Sequence, residues 1–277
     1  MKQVHRYVVY GACIALSLGV LTSAPAAADQ RLSEHGISLV EGYASPGLEM
    51  EISGIFPHPK EADLYLALAN QRPVYRTGQS PKLAESYRGK LLTVNRRGEI
   101  VRSSALVDGD YGGLAHHGGF LYVSVLEPAE ILKVELATGE IVDRFSIAGP
   151  AGGLEFDAQR GVLYAQLFVS HPHLAVIDVE TGETIETLWS DESAMGLAKV
   201  DGDLLCSWTN SFDEDALSEL RLLDNETGKV LGRIALNRVH TSMAPTSDGF
   251  IGLVSTDSAS GEVRVARYLY DSETAAW

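Results

Sequence analysis

Apolar and polar residues alternate with a period of two in short runs along most of the chain, as at 91–95 and 174–178. Each such run breaks at Gly or Asp and gives way to another, a pattern that predicts half-buried strands joined by tight turns. One phrase recurs four times. Arg97-Gly98, Thr138-Gly139, Thr181-Gly182 and Thr227-Gly228 each follow an alternating run and precede a second one, at spacings of 41, 43 and 46 residues. A period of this length carrying four short strands predicts the blades of a β-propeller.

Laid out from the channel outward, the strands of the first blade fall at 50–56, 63–70, 91–95 and 99–106. Those of the second fall at 112–116, 120–126, 131–136 and 140–147, and of the third at 152–156, 162–168, 174–179 and 183–189. The fourth takes 195–200, 203–208, 219–224 and 229–236. The last repeat supplies only three strands, at 242–246, 250–255 and 262–270, while 37–43 reads as an orphan strand ahead of the first blade. The expectation is therefore an all-β propeller of five four-stranded blades, with the N-terminal strand completing the fifth and leaving no open sheet edge. Six blades is the alternative, and it requires strands the pattern does not supply. Residues 71–89, with Pro73, Arg76, Gly78, Pro81 and Arg88, interrupt the first blade without periodicity. Such an insertion is either a binding loop or a tolerated surface excursion.

The N-terminus changes the picture of where this propeller works. Lys2 and Arg6, an apolar stretch from Val8 to Leu21 and the small residues Ala26-Ala27-Ala28 predict a secretory signal cleaved after Ala28. A retained anchor is the alternative, but the apolar stretch is short and interrupted by Tyr10 and Gly11. Residues 29–277 then form a single exported domain, periplasmic or secreted, without a membrane anchor. The formal charge of −15 argues against nucleic acid as a partner, because such a surface repels phosphate. Of the two cysteines, Cys13 leaves with the signal. Cys206 lies in an apolar run and reads as a buried strand thiol with no intrachain disulfide partner.

Candidate chemistry is sorted by the face on which each loop emerges. In propellers the loops joining blade to blade (D–A) and second strand to third (B–C) surround the channel mouth where ligands usually sit. His116-His117-Gly118-Gly119 and His58 fall on the other face, in A–B turns, and read as turn residues rather than metal ligands. On the mouth face the candidates for ligand contact are Glu51, Asn70, Arg76, Asp110, Tyr111, His171, His173, Trp208, Asn210 and His240. Glu51, Asn210, His240 and Asp257 could together hold Ca²⁺ or Zn²⁺, carboxylate and amide oxygens favouring the former and imidazole the latter. A hydrated mouth without metal is the alternative. Nucleophile-elbow, phosphate-loop and zincin motifs are missing from the sequence.

The phrases Asp178-Val179-Glu180-Thr181-Gly182-Glu183 and Asp224-Asn225-Glu226-Thr227-Gly228-Lys229 resemble the blades of exported YVTN-type and quinoprotein-dehydrogenase-like propellers. The stretch from Met195 to Leu205 is similar to inner strands of glutaminyl cyclotransferases and of gluconolactonase-like metal-dependent lactonases. The resemblance spans most of 50–270 and implies the fold. Glutaminyl cyclotransferases place an acidic residue on an inner strand about where this chain has Gly196, Leu197 and Ala198. The lactonase resemblance implies a cation held by Glu49 or Glu51 and by Asn210, but no Asn/Asp pair in the expected local phrase completes that set. Two functions are thus expected as alternatives. One is the binding of a small molecule, peptide or periplasmic protein at the mouth, bordered by the 71–89 loop. The other is a metal-dependent hydrolase or lactonase.

Overall fold

A computed structural model describes residues 37–44, 50–71, 88–189, 194–209, 218–236, 239–257 and 262–271. They form five four-stranded antiparallel sheets, one per blade of a five-bladed β-propeller, and the described residues contain no helix. The first blade comprises β2 (Met50–Pro57), β3 (Leu64–Gln71), β4 (Arg88–Asn95) and β5 (Ile100–Asp108). The second comprises β6 (Tyr111–His117), β7 (Phe120–Val125), β8 (Glu130–Glu135) and β9 (Ile141–Ser146). The third is β10 (Ala151–Asp157), β11 (Val162–Leu167), β12 (His173–Asp178) and β13 (Thr184–Trp189). The fourth is β14 (Ala194–Val200), β15 (Asp203–Thr209), β16 (Ser218–Leu223) and β17 (Val230–Leu236). In the fifth, β18 (Val239–Thr246), β19 (Gly249–Asp257) and β20 (Glu262–Tyr270) are completed by β1 (Ile37–Ala44) from the other end of the chain. The register from Ile37↔Tyr270 to Ala44↔Arg264 closes the ring, as the orphan strand led one to expect.

The turn glycines serve as their positions demand. Gly98, Gly139, Gly182 and Gly228 all take positive φ between 67° and 77°, a region that Cβ-bearing residues rarely enter.

Apolar side chains do not gather at one centre. They fill five seams between neighbouring blades. Leu66 and Leu68 of the first blade meet Leu114, Leu121 and Val123 of the second, and Ala115 and Tyr122 meet Leu154, Phe156 and Leu163. Tyr164, Leu174 and Val176 meet Leu197, Leu204 and Cys206 across the third seam. Ala198 and Leu205 meet Met243 and Phe250 across the fourth, and Ala244 and Ile251 meet Ile55 and Ala67 across the fifth. Strand alternation thus sends successive residues of each blade into two different seams.

The innermost strands approach closely where they converge. A Cβ added to Gly196 would lie 2.6 Å from the Met243 nitrogen, and one added to Gly113 would lie 2.4 Å from the Gly152 oxygen. Each innermost strand is also bulged near its start, between Ile52 and Gly54, Tyr111 and Leu114, Ala151 and Leu154, Ala194 and Gly196, and His240 and Ser242. All five bulges lie at the end where the D–A and B–C loops emerge, so the mouth is the irregular end of the barrel of inner strands.

Candidate functional site

A bulge leaves backbone groups without ladder partners, and at the mouth four seams satisfy such groups with side chains. Between the first and second blades the Asn70 carboxamide donates to the Tyr111 carbonyl (2.9 Å) and accepts from the Tyr111 N–H (3.1 Å). Between the second and third, Ser124 Oγ accepts from Gly113 N–H and donates to the Ala151 carbonyl (2.8 Å). Ser207 Oγ accepts from Gly196 N–H and donates to the His240 carbonyl (2.7 Å), joining the fourth to the fifth. Ser242 Oγ accepts from the Ile55 N–H (3.3 Å), joining the fifth to the first.

The seam between the third and fourth blades is different. At the register position held by Ser124 and Ser207 in the blades on either side, β11 carries Gln166, opposite the Gly152–Gly153 bulge. Its side chain is fully buried, and neither the amide nitrogen nor the amide oxygen has a hydrogen-bond partner. Alternation places Gln166 in the same seam as Tyr164, and it places Trp208 there with Leu204 and Cys206. Trp208 sits one residue nearer the mouth than Ser207 and is partly exposed. The Arg221 guanidinium, itself buried, lies 4.4 Å from the Trp208 ring centre and donates from Nε to Glu219 at 2.8 Å. The arrangement is a cation–π contact whose charge is balanced in place.

Deeper in the same seam is a buried carboxyl. Ala115, Ala198 and Ala244 occupy equivalent innermost-strand positions, opposite Tyr122, Leu205 and Ile251, where the third blade has Glu155 opposite Tyr164. Glu155 is 3% exposed, and burial pushes its carboxyl well above the ordinary value despite backbone N–H groups of Lys199 and Phe156. Two residues on, Asp157 Oδ2 meets Lys199 Nζ at 2.7 Å across the seam. Burial alone would raise Asp157. The Lys199 hydrogen bond, with the N–H groups of Arg160 and Gln159, outweighs it and holds the carboxyl below its usual value.

The structure resembles a glutaminyl cyclase. That protein, from Myxococcus xanthus, superposes with a TM-score of 0.62 at 13% identity, over 85% of this chain and 97% of the cyclase. A hydrazine synthase from Kuenenia stuttgartiensis aligns with a TM-score of 0.48 at 14% identity, over 74% of this chain and 56% of that one. No protein-family model and no curated protein sequence matches the chain. At these identities the likeness to the cyclase is one of fold, which the five sheets show independently.

The sequence-derived candidates divide sharply. Asn70 and Tyr111 are buried and bonded to one another, and the Tyr111 ring covers Gly89 so closely that an added Cβ would lie 1.9 Å from it. His240 is buried, with Nε2 3.0 Å from the Tyr268 hydroxyl. Asp110 uses its carbonyl to accept from the Leu126 N–H. His173 faces the carbonyl of exposed His171 at 2.9 Å, so its Nδ1 carries the hydrogen there. Glu51 lies opposite Asn70 and Asp257 opposite Glu262 in backbone register. Arg76 and Asn210 lie outside the described residues, as does most of the 71–89 segment. Among the described residues no group of three or more His, Cys, Asp or Glu side chains is placed to hold a metal ion.

His116 and His117 end β6 rather than forming the turn, which is left to Gly118 and Gly119. Their rings pack between blades, His117 stacked on Phe156 at 3.9 Å and His116 tilted against Phe56 at 5.7 Å. Burial, then neighbouring His117 and His58, lowers the His116 pKa.

Gln166 and Glu155 were missed in the sequence. The signal for Glu155 is in the repeats: Gly113-Leu114-Ala115 and Gly196-Leu197-Ala198 become Gly153-Leu154-Glu155 in the third blade. The third blade thus carries an acidic residue on its innermost strand, where the second and fourth blades carry alanine.

Proposed function

We propose that this chain is an exported propeller that binds a small molecule or peptide at the channel mouth, seated in the seam between the third and fourth blades. One observation carries this reading: Gln166 is wholly buried with both amide atoms unmet, where the flanking seams are closed by Ser124 and Ser207. A buried amide left without partners costs on the order of 1–3 kcal/mol, which a bound molecule supplying a donor and an acceptor would recover. Trp208, partly exposed, stands one register step nearer the mouth in the same seam. The test is retention of small molecules and peptides from periplasmic extract by the immobilised mature protein and by Trp208→Ala. Loss of retention at an unchanged melting temperature supports the placement, and equal retention overturns it.

A second reading rests on Glu155. A carboxyl on an innermost strand whose pKa burial raises is a group suited to acid–base chemistry, and the structural likeness to a glutaminyl cyclase names the first substrate to try. A peptide with N-terminal glutamine, followed by mass spectrometry, should cyclise with the wild type and not with Glu155→Gln. No turnover by the wild type removes this reading.

A further inference from the structure

The seam between the third and fourth blades differs from the other four in what it offers a ligand, and the difference specifies a chemical class. Gln166 presents one carbonyl oxygen and one NH₂ group with no protein partner. Both point to a ligand edge that carries a donor beside an acceptor. Charge is already balanced in this seam. Arg221 is engaged by Glu219, Lys199 by Asp157, and burial disfavours the ionised form of Glu155. An ionised ligand would therefore leave water without gaining a free countercharge, which is costly. Trp208, one residue nearer the mouth on the opposing blade, offers a flat apolar surface backed by the Arg221 guanidinium. Flat rings stack on such surfaces.

We infer that the seam selects a flat, neutral molecule bearing an amide edge, such as an aromatic carboxamide or a lactam ring, with Gln166 pairing the amide and Trp208 stacking the ring. This rests on the mouth-seam reading above and names the class of ligand it takes. Gln166 is the specificity residue, because a site built to pair an amide rejects the matching carboxylate. Such discrimination is commonly far larger than a hydrophobic contact alone supplies.

Nicotinamide and nicotinate are a matched pair of probes: the same ring, one ending in an amide and the other in a carboxylate. The mature protein is titrated with each while tryptophan fluorescence is followed, and Trp208→Phe identifies the part of the signal that belongs to Trp208. Nicotinamide should quench that part at concentrations at least about tenfold below those needed for nicotinate. Gln166→Leu should fold with an unchanged or higher melting temperature, because it removes a buried unmet amide, and it should erase the preference.

Equal responses to the two probes, quenching by neither up to millimolar concentration, or a preference that survives in Gln166→Leu would each overturn the inference. The extract experiment separates this failure from a failure of the wider reading. If Trp208→Ala still abolishes retention while nicotinamide does nothing, the mouth binds a ligand of another class. If retention is equal as well, both fall.

Discussion

The side chain of Asn70 holds the backbone of Tyr111 by both of its hydrogen-bonding groups, donating to the carbonyl and accepting from the N–H across 41 residues of sequence. The two contacts tie the first blade to the second at the bulged end of β6, and the Tyr111 ring then lies over Gly89 of β4. A residue selected in the sequence for its polarity at the channel mouth is thereby occupied within the fold.

Asn70→Ala should destabilise the protein by about 1–3 kcal/mol, because it removes both buried hydrogen bonds from the carboxamide to the Tyr111 backbone. Urea unfolding, with the midpoint lowered and the slope unchanged, is the measurement. A loss within error of zero would mean that water replaces the carboxamide.

Glu155 makes stability depend on pH in a direction opposite to that of an ordinary paired carboxylate. Its folded-state pKa is raised above the unfolded value near 4.5, so the folded protein holds a proton that the unfolded chain has lost. Stability therefore declines as pH rises from about 4.5 through the raised value, by about 1.4 kcal/mol for each unit of elevation. Glu155→Gln should remove that slope. Melting temperatures of the two proteins between pH 4 and 9 test this, and parallel curves would contradict it.

Cys206 is 3% exposed and burial pushes its thiol up to about 12. The native protein at pH 8 should resist a thiol-specific disulfide reagent over hours and react at once in guanidinium. Rapid labelling of the native protein would show that the seam opens readily, and would link thiol exposure to entry at the mouth.

Under the binding reading, EDTA should leave the melting temperature of the mature protein unaltered. If chelation lowers it, and elemental analysis finds one equivalent of Ca²⁺ or Zn²⁺, the mouth belongs to the metal-dependent hydrolase alternative drawn from Glu51, Asn210, His240 and Asp257. Esters and lactones would then be the substrates to examine.

The blades were legible because each repeat must turn at the same places. A glycine at positive φ after the third strand of each of the first four blades is a local requirement that shows in the sequence at Gly98, Gly139, Gly182 and Gly228. Strand ends were less visible. β4 begins at Arg88 rather than Leu91 because Arg88, Gly89 and Lys90 are held by ladder bonds to β3, and ladder bonds leave no apolar pattern. For the candidate site the sequence offered only a face of the molecule. Asn70, Tyr111 and His240 stand at the bulged ends of their strands, but which polar residues there are occupied depends on contacts between strands 28 to 41 residues apart in sequence. What a repeat protein does show without a structure is departure from its own consensus. Glu155 where three other blades have alanine, and Gln166 where the two neighbouring blades have serine, are differences that a blade-against-blade alignment exposes.

Ring closure through β1 and β20 has a mechanical consequence. The two strands run antiparallel with Ile37 beside Tyr270, so the outer flanks of the ladder leave from the same end. Tension applied through those flanks would load the hydrogen bonds one after another, as in a zipper, rather than all together in shear. The ring should therefore open at low force by peeling β1 from the fifth blade, while the seam holding Gln166 and Trp208, on the far side of the fourth blade, stays intact.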